Sequence, residues 1–409
     1  MTPGRAFLRR MVPAVAAPVL GLAGPGQAAA AQEAALPPLP LTAPGFEGAY
    51  QPADDLERSL WQEMTEYERT LRTSQQVIRD PALNDYVREV LCRTVGPQCQ
   101  QVRLYILRAP EFNATMAPNG VMTVWSGLLL RVQNEAQLAA VLGHEYSHFQ
   151  RRHSLAQFRR TKKSTNSSYW LSQITGAIVP FGGLLTGFAT MASLYDFSRD
   201  QEEEADLDGL RMMAAAGYDP AEAPLIWERL LAERDATLEA RGRKAEKRKT
   251  KAGLFDTHPT SQGRIEYMQA EIARAQLTGG ADEGARYRAA MAAWWPQFLD
   301  DQLKLNDPGG SLFVIDSIEQ AGGWSPWIAY ARAEFHRRRS AAGDIDAAIG
   351  HYSDAIARGG DLPELWRGRG YALRKAGRAE EAVADLREYL GRAPDAHDRA
   401  MVSALAGGQ

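Results

Sequence analysis

The sequence predicts an α+β protein, mainly helical, with a small sheet ahead of a histidine-bearing helix and an all-α domain at the end of the chain. Three observations carry this. Val102, Leu104 and Ile106 alternate with Arg103 and Tyr105 as in a half-buried strand, and a second strand follows at Val121 to Trp125. Residues 134–152, NEAQLAAVLGHEYSHFQRR, place their apolar side chains at helical spacing. Near the C-terminus two stretches share one spaced pattern of aromatic and small residues. At 409 residues the chain exceeds one ordinary core, so two or three domains are expected; 45% hydrophobic and 24% charged residues describe a globular protein. A net charge of −3 offers no electrostatic footprint for nucleic acid.

The N-terminus stands apart. Arg5, Arg9 and Arg10 precede an uncharged run from Met11 to Ala31 that ends in an Ala-x-Ala site at Ala29 to Ala31. This is the pattern of a secretory signal peptide, residues 1–31, cleaved near Gln32. Pro13, Pro18, Gly21, Gly24, Pro25 and Gly26 interrupt it, which speaks against a stable membrane span. Removing it takes away three arginines and no acid, moving the charge to −6. In an oxidising compartment the only two cysteines, Cys92 and Cys99, either close a small loop or stay as two buried thiols; export favours the disulfide.

Residues 32–54 read as a flexible Pro-rich leader, and Leu56 to Val77 as a helix. Asp80-Pro81 starts the next helix, which turns Leu83, Tyr86, Val87, Val90 and Leu91 inward. Val102, Leu104 and Ile106 alternate with Arg103 and Tyr105 in a strand; Asn119-Gly120 marks a hairpin leading into Val121 to Trp125, whose edge is expected to face an extended substrate. Asn134 with Gln137 then opens the helix of residues 134–152. Four residues advance an α-helix by about 400°, so His144 and His148 of the HExxH pattern project from nearly one face. Two neutral imidazoles so placed can share a metal ion, with Glu145 beside them to take a proton from a water at that ion.

From Ser164 to Tyr195 no residue is charged, and Pro180, Gly182 and Gly183 break the run at its middle. A buried helical hairpin, a membrane contact and an apolar lid all fit it. Residues 199–210, RDQEEEADLDGL, form a helix in which Glu202 and Asp206 share a face, either as a solvated acidic surface or as a third metal donor with a carboxylate behind it.

HEYSH followed by Glu202 to Asp206 as ExxxD resembles the zinc metallopeptidases that include the CAAX prenyl protease and the bacterial heat-shock membrane protease. Phe112-Asn113-Ala114, Pro118-Asn119-Gly120, Gly127-Leu128-Leu129, Thr257-His258-Pro259 and Arg264-Ile265 are similar to its exported soluble bacterial members, and the likeness spans roughly residues 55–275. The resemblance implies a zincin-like domain over 55–280 that binds one zinc through His144, His148 and Glu202. It also implies Glu145 as general base and Asp206 behind a ligand histidine. Three roles fit His258: a cap on the helix that follows, a group that steadies the tetrahedral intermediate, or a donor that takes the water's place on zinc in a resting form. A metzincin frame is excluded, since it needs Gly at 151 and His at 154 where the chain has Arg151 and Ser154. His153 is one position out of that register and belongs to a basic tail with Arg151 and Arg152, or makes a polar contact near the site.

Arg241 to Lys251 carries seven basic residues and one acid, a solvated loop that also suits clipping or contact with an anionic membrane. In the closing domain, 281–409, Trp366, Gly370, Ala382, Leu386 and Pro394 fall at tetratricopeptide spacing; Trp327, Ala333, Ala348, Tyr352 and Ala355 form a weaker upstream unit. Such repeats hold a segment of another protein, or here cap the enzyme. The expected function is a periplasmic zinc endopeptidase, for which the resemblance implies misfolded or stalled envelope proteins as substrates, outer-membrane proteins among them; an assembly-machinery partner through the repeats and peripheral membrane contact are also expected. The alternative is a chaperone or assembly factor whose metal site is gated or silent.

Overall fold

The computed structural model describes residues 52–164, 197–243 and 262–407. The expected signal peptide, nearly all of the leader, the apolar stretch from 165 to 195, most of the basic run and Thr257-His258-Pro259 lie outside the described residues.

Asp54 caps helix α1 (Asp55–Thr73) by accepting from Glu57 N at 2.8 Å. The helix stops at Thr73 rather than running to Val77, because Ser74 is extended and Val77–Ile78 forms strand β1. Two residues pair there with β2 (Arg103–Leu107), Val77 opposite Leu107 and Ile78 opposite Ile106. Asp80 and Pro81 start α2 (Pro81–Val95) as expected, and Cys92 and Cys99 are joined in a disulfide across its end. Strand β4 (Val121–Trp125) runs parallel to β2 and antiparallel to β3 (Ala114–Met116), giving a four-stranded sheet of order β1-β2-β4-β3. Gly120, at φ +88°, makes the β3–β4 turn, and a Cβ there would lie 2.9 Å from Gln101 O.

Val121 to Trp125 therefore occupies the interior of the sheet and has no free edge; the expectation that it faces substrate is corrected in favour of β3, which borders the sheet. Alternation along β4 serves two buried faces. Met122 and Val124 join the main core with α2 and with α4 (Glu135–Gln150), while Val121 and Trp125 pack with Leu60, Met64 and Leu71 of α1, Leu155 and Phe158 of α5 (His153–Ser164), and Phe197. The short α3 (Ser126–Arg131) follows β4 directly and adds Leu128, Leu129 and Leu130 to the main core. On the Val121 and Trp125 face, Thr115 and Thr123 share a hydrogen bond of 2.8 Å.

Asn134 caps α4 by accepting from Gln137 N at 2.8 Å, and every residue from Glu135 to His148 is buried. A helix buried all round must be approached closely by its neighbours. Its closest neighbour is α6 (Arg199–Ala215), entered through a capping box at Ser198 and Gln201. At the crossing, Gly143 meets Gly209: a Cβ on Gly209 would lie 2.8 Å from His144 N, and one on Gly143 3.1 Å from Gly209 Cα. Helices α7 (Glu222–Ala240) and α8 (Gln262–Arg274) complete this side with Ile226, Trp227, Ile265 and Met268.

The main core runs on past residue 280. Tyr287 and Met291 of α9 (Gly284–Met291), Phe298 and Leu299 of α10 (Trp295–Leu303), and Val314, Ile315 and Ile318 of α11 (Pro308–Gly322) belong to it. Polar ties repeat the point: Arg108 grips Asp301 at 2.5 and 2.8 Å, Arg131 reaches Gln302 at 2.9 Å, and Arg286 meets the fully buried Glu135 at 2.9 Å. A second core forms from Ala333 of α12 (Pro326–Arg339) together with α13 (Asp344–Ala357), α14 (Pro363–Lys375), α15 (Ala379–Arg392) and α16 (Arg399–Leu405). Within it Gly368 lies against the Tyr352 ring and Gly370 against Leu386, so neighbouring helices nest at glycines.

Gly209→Ala is expected to destabilise the fold by about 1–3 kcal/mol, because a methyl at 2.8 Å from backbone forces α4 and α6 apart. Thermal unfolding of the metal-free protein measures it, and a melting temperature equal to wild type contradicts the close crossing.

Candidate active site

Helical spacing on α4 brings His144 and His148 together with their Nε2 atoms 3.1 Å apart. Glu202, one turn inside α6, faces both, with Oε2 3.8 Å from His144 Nε2 and Oε1 3.7 Å from His148 Nε2. The three residues are 1–5% exposed. Ligands bound at 2.0–2.2 Å around a tetrahedral ion lie about 3.3–3.6 Å from one another. The observed separations bracket that range, so shifts of a few tenths of an ångström bring the donors to a zinc ion. Two imidazoles and a carboxylate, with no thiolate, form the three-donor set of catalytic zinc sites. Glu145 sits on α4 next to His144, 2% exposed.

The outer nitrogens of the two rings are also held. His144 Nδ1 lies 2.8 Å from Asp206 Oδ1, which turns Nε2 toward Glu202 and His148. Asp206 in turn accepts from Arg264 Nε at 2.8 Å, from Arg264 Nη2 at 2.5 Å and from the Tyr267 hydroxyl. Burial alone would raise its pKa; Arg264 and His144 beside it outweigh that and hold the carboxyl well below the usual range. Burial, then Asp206, push the Tyr267 hydroxyl well up, so it stays protonated and donating. Arg264 is 3% exposed, stacks 3.8 Å over the Trp227 ring and brings Nη1 to 3.4 Å from Glu202 Oε2. One guanidinium thus spans the third donor and the carboxylate behind the first.

His148 is oriented by different means. Its ring stacks on Phe197 at 3.9 Å and 15°, and its Nδ1 lies 2.9 Å from His153 Nδ1. His153 is 4% exposed, with Nε2 3.2 Å from Glu204 Oε2, so it belongs to the site and not to the basic tail. Arg152, at φ +58°, reverses the chain after α4 and brings His153 back beside His148. Helical periodicity places those two residues on different faces, so it concealed the contact.

The acidic run is not a solvated surface. Glu202, Asp206 and Asp208 are 5%, 4% and 0% exposed. Glu202 and Asp206 serve His144 and His148, whereas Asp208 accepts from Ser147 Oγ at 2.9 Å and from Arg151. Arg151, which excluded the metzincin frame, thereby ties the end of α4 to α6. His258 lies outside the described residues. Sequence reasoning assigned no role to Arg264, Tyr267, Glu204, Phe197 or Trp227. Of these, only Arg264 carried a signal, as part of the Arg264-Ile265 likeness.

Residues 78–272 match the description "Peptidase family M48". Over that span, a little under half of the chain, it is similar to the zinc metallopeptidases of that family. The mitochondrial metalloendopeptidase OMA1 of Schizosaccharomyces pombe is 34% identical over 197 residues, 47% of this chain and 54% of that protein. The beta-barrel assembly-enhancing protease of Escherichia coli K12 is 29% identical over 177 residues, 40% of this chain and 36% of that protein. The chain thus spans about half or less of the length of these curated relatives. The matched span includes His144 and His148 on α4 and Glu202 and Asp206 on α6. No helix among the described residues is long and apolar enough to cross a membrane.

Asp206→Leu strands Arg264 in the interior with its main partner removed, a loss of about 3–5 kcal/mol. Denaturant unfolding of the metal-free protein checks this. A loss below 1 kcal/mol, on the scale of a surface pair, contradicts the buried linkage.

Proposed function

We propose that the protein is an exported zinc endopeptidase of the bacterial envelope, its signal peptide removed near Gln32, that hydrolyses peptide bonds of misfolded or stalled envelope proteins in the periplasm. One observation carries the reading: His144, His148 and Glu202 converge at 3.1–3.8 Å while their outer atoms are held by Asp206, His153 and Arg264. Donors held this way suit a metal that must act on a substrate.

His144, His148 and Glu202 hold the zinc. A zinc ion there supplies Lewis acidity toward the scissile carbonyl and lowers the pKa of the attacking water. Glu145 takes the proton from that water and returns it to the leaving nitrogen. Asp206 keeps the His144 proton on Nδ1. The edge of β3, beside α4, pairs with the substrate backbone, which makes extended conformation matter more than side-chain identity. Such selection suits unfolded clients, and the name of the E. coli relative, a beta-barrel assembly-enhancing protease, supports outer-membrane proteins among them. Residues 55–280 form the metallopeptidase domain, with α9 to α11 completing its core. The helices from Pro326 onward form a tetratricopeptide-like unit that holds clients or an assembly partner; their glycine-nested packing around a core of their own supports this.

Glu145→Gln is expected to lower hydrolysis of an unfolded reporter by about 10²- to 10⁴-fold while bound zinc stays at one per chain. A chelator abolishes wild-type activity and added zinc restores it. Undiminished turnover by the variant rejects Glu145 as the base. Full cellular function with no turnover favours the chaperone reading, in which the C-terminal core does the main work.

A further inference from the structure

The two ring nitrogens that face each other at 2.9 Å, His148 Nδ1 and His153 Nδ1, share a single proton. Which ring carries it is decided at the far side of His153, where Nε2 lies 3.2 Å from a Glu204 oxygen. A carboxylate only accepts, so His153 holds its proton on Nε2 and donates to Glu204. His153 Nδ1 is then a lone pair, and His148 must donate to it from Nδ1. That leaves His148 Nε2 as a lone pair, 3.1 Å from His144 Nε2 and 3.7 Å from Glu202 Oε1. The opposite arrangement sets a lone pair of His153 against the Glu204 carboxylate and places a proton on His148 Nε2, among the metal donors. Glu204 is held in turn by Arg151 Nη1 at 3.5 Å from its other oxygen.

We propose that His153 is a positioning residue for His148: with Glu204 behind it, it fixes both the tautomer and the ring direction that let His148 Nε2 serve as a metal donor. The inference rests on the metallopeptidase reading and deepens it. His144 and His148 then receive the same service by two routes. His144 gets it from an aspartate in one step, and His148 from a glutamate through an intervening imidazole. The Phe197 ring, stacked at 3.9 Å, sets the plane of His148 but neither accepts nor donates a proton, so it does not replace His153. The side chain of Glu204 is 36% exposed, against 5% for that of His153, so the relay runs from the buried donors out toward solvent.

The test is zinc affinity, measured on full-length metal-free protein by competition with a chromophoric chelator, with the metal-free melting temperature recorded for each form. Wild type is expected to bind one zinc. His153→Leu should bind it about 10- to 100-fold more weakly, the usual cost of losing such a partner. His153→Gln, whose amide both accepts and donates, should recover most of that loss. Glu204→Ala, at the exposed end, should weaken zinc in the same direction with the metal-free melting temperature unchanged. Equal affinity in wild type and His153→Leu overturns the inference, as does a Gln variant as weak as the Leu variant, since ring volume alone then accounts for the loss. If His153→Leu does not fold, Glu204→Ala decides, and unchanged affinity there overturns the relay. A wild-type protein that takes up no zinc sinks the metallopeptidase reading instead.

Discussion

Helices α4 and α6 touch backbone to backbone where Gly143 crosses Gly209, and the site is a consequence of that contact. Glu202 carries a short side chain for the distance it must cover between helices. Were the crossing held open by even one methyl on each side, its carboxylate would fall short of both imidazoles. The same approach brings Asp206 to His144 and Asp208 to Ser147 and Arg151. Interiors are close-packed, so a gain of a few tenths of an ångström at the glycines is passed on to every pair across the interface.

The charge pattern of α6 follows from the same geometry. Four acids on this helix are met by cations or donors, with Arg264 and Arg151 each serving two of them, while Asp200 and Glu203 are exposed: Glu202 lies near Arg264, Glu204 at His153 and Arg151, Asp206 at Arg264 and His144, and Asp208 at Arg151. Buried carboxylates survive only with such partners. A run of acids that looks redundant in one dimension is therefore four separate assignments in three.

Much of this was readable from residue spacing. The α4 helix, the shared face of His144 and His148, the Asp80-Pro81 start and the hairpin at Asn119-Gly120 all follow from local rules, and these act over a few residues. Strand order did not follow, although VMTVW is apolar on both alternating faces, the mark of a strand covered on both sides. Strand β1 escaped because two residues carry no periodicity and Val77 continued the helical pattern of α1. Gly143 and Gly209 were silent because a glycine leaves no mark in an amphipathic pattern. Of the two readings open for His153, a basic tail or a polar contact near the site, the second holds, and helical periodicity could not choose between them because the left-handed Arg152 breaks it.

The main core closes late in chain order. Glu135 lies at the first turn of α4 with no exposed surface, bonded to Tyr86 and Tyr218, and the guanidinium at 2.9 Å that balances its charge comes from Arg286. Tyr287 beside it reaches back to Leu129 O at 2.5 Å. The helix bearing the histidines is thus anchored at its first turn by residues that lie far beyond both metal-donor helices in the chain, so the site depends on a core that no shorter N-terminal segment completes.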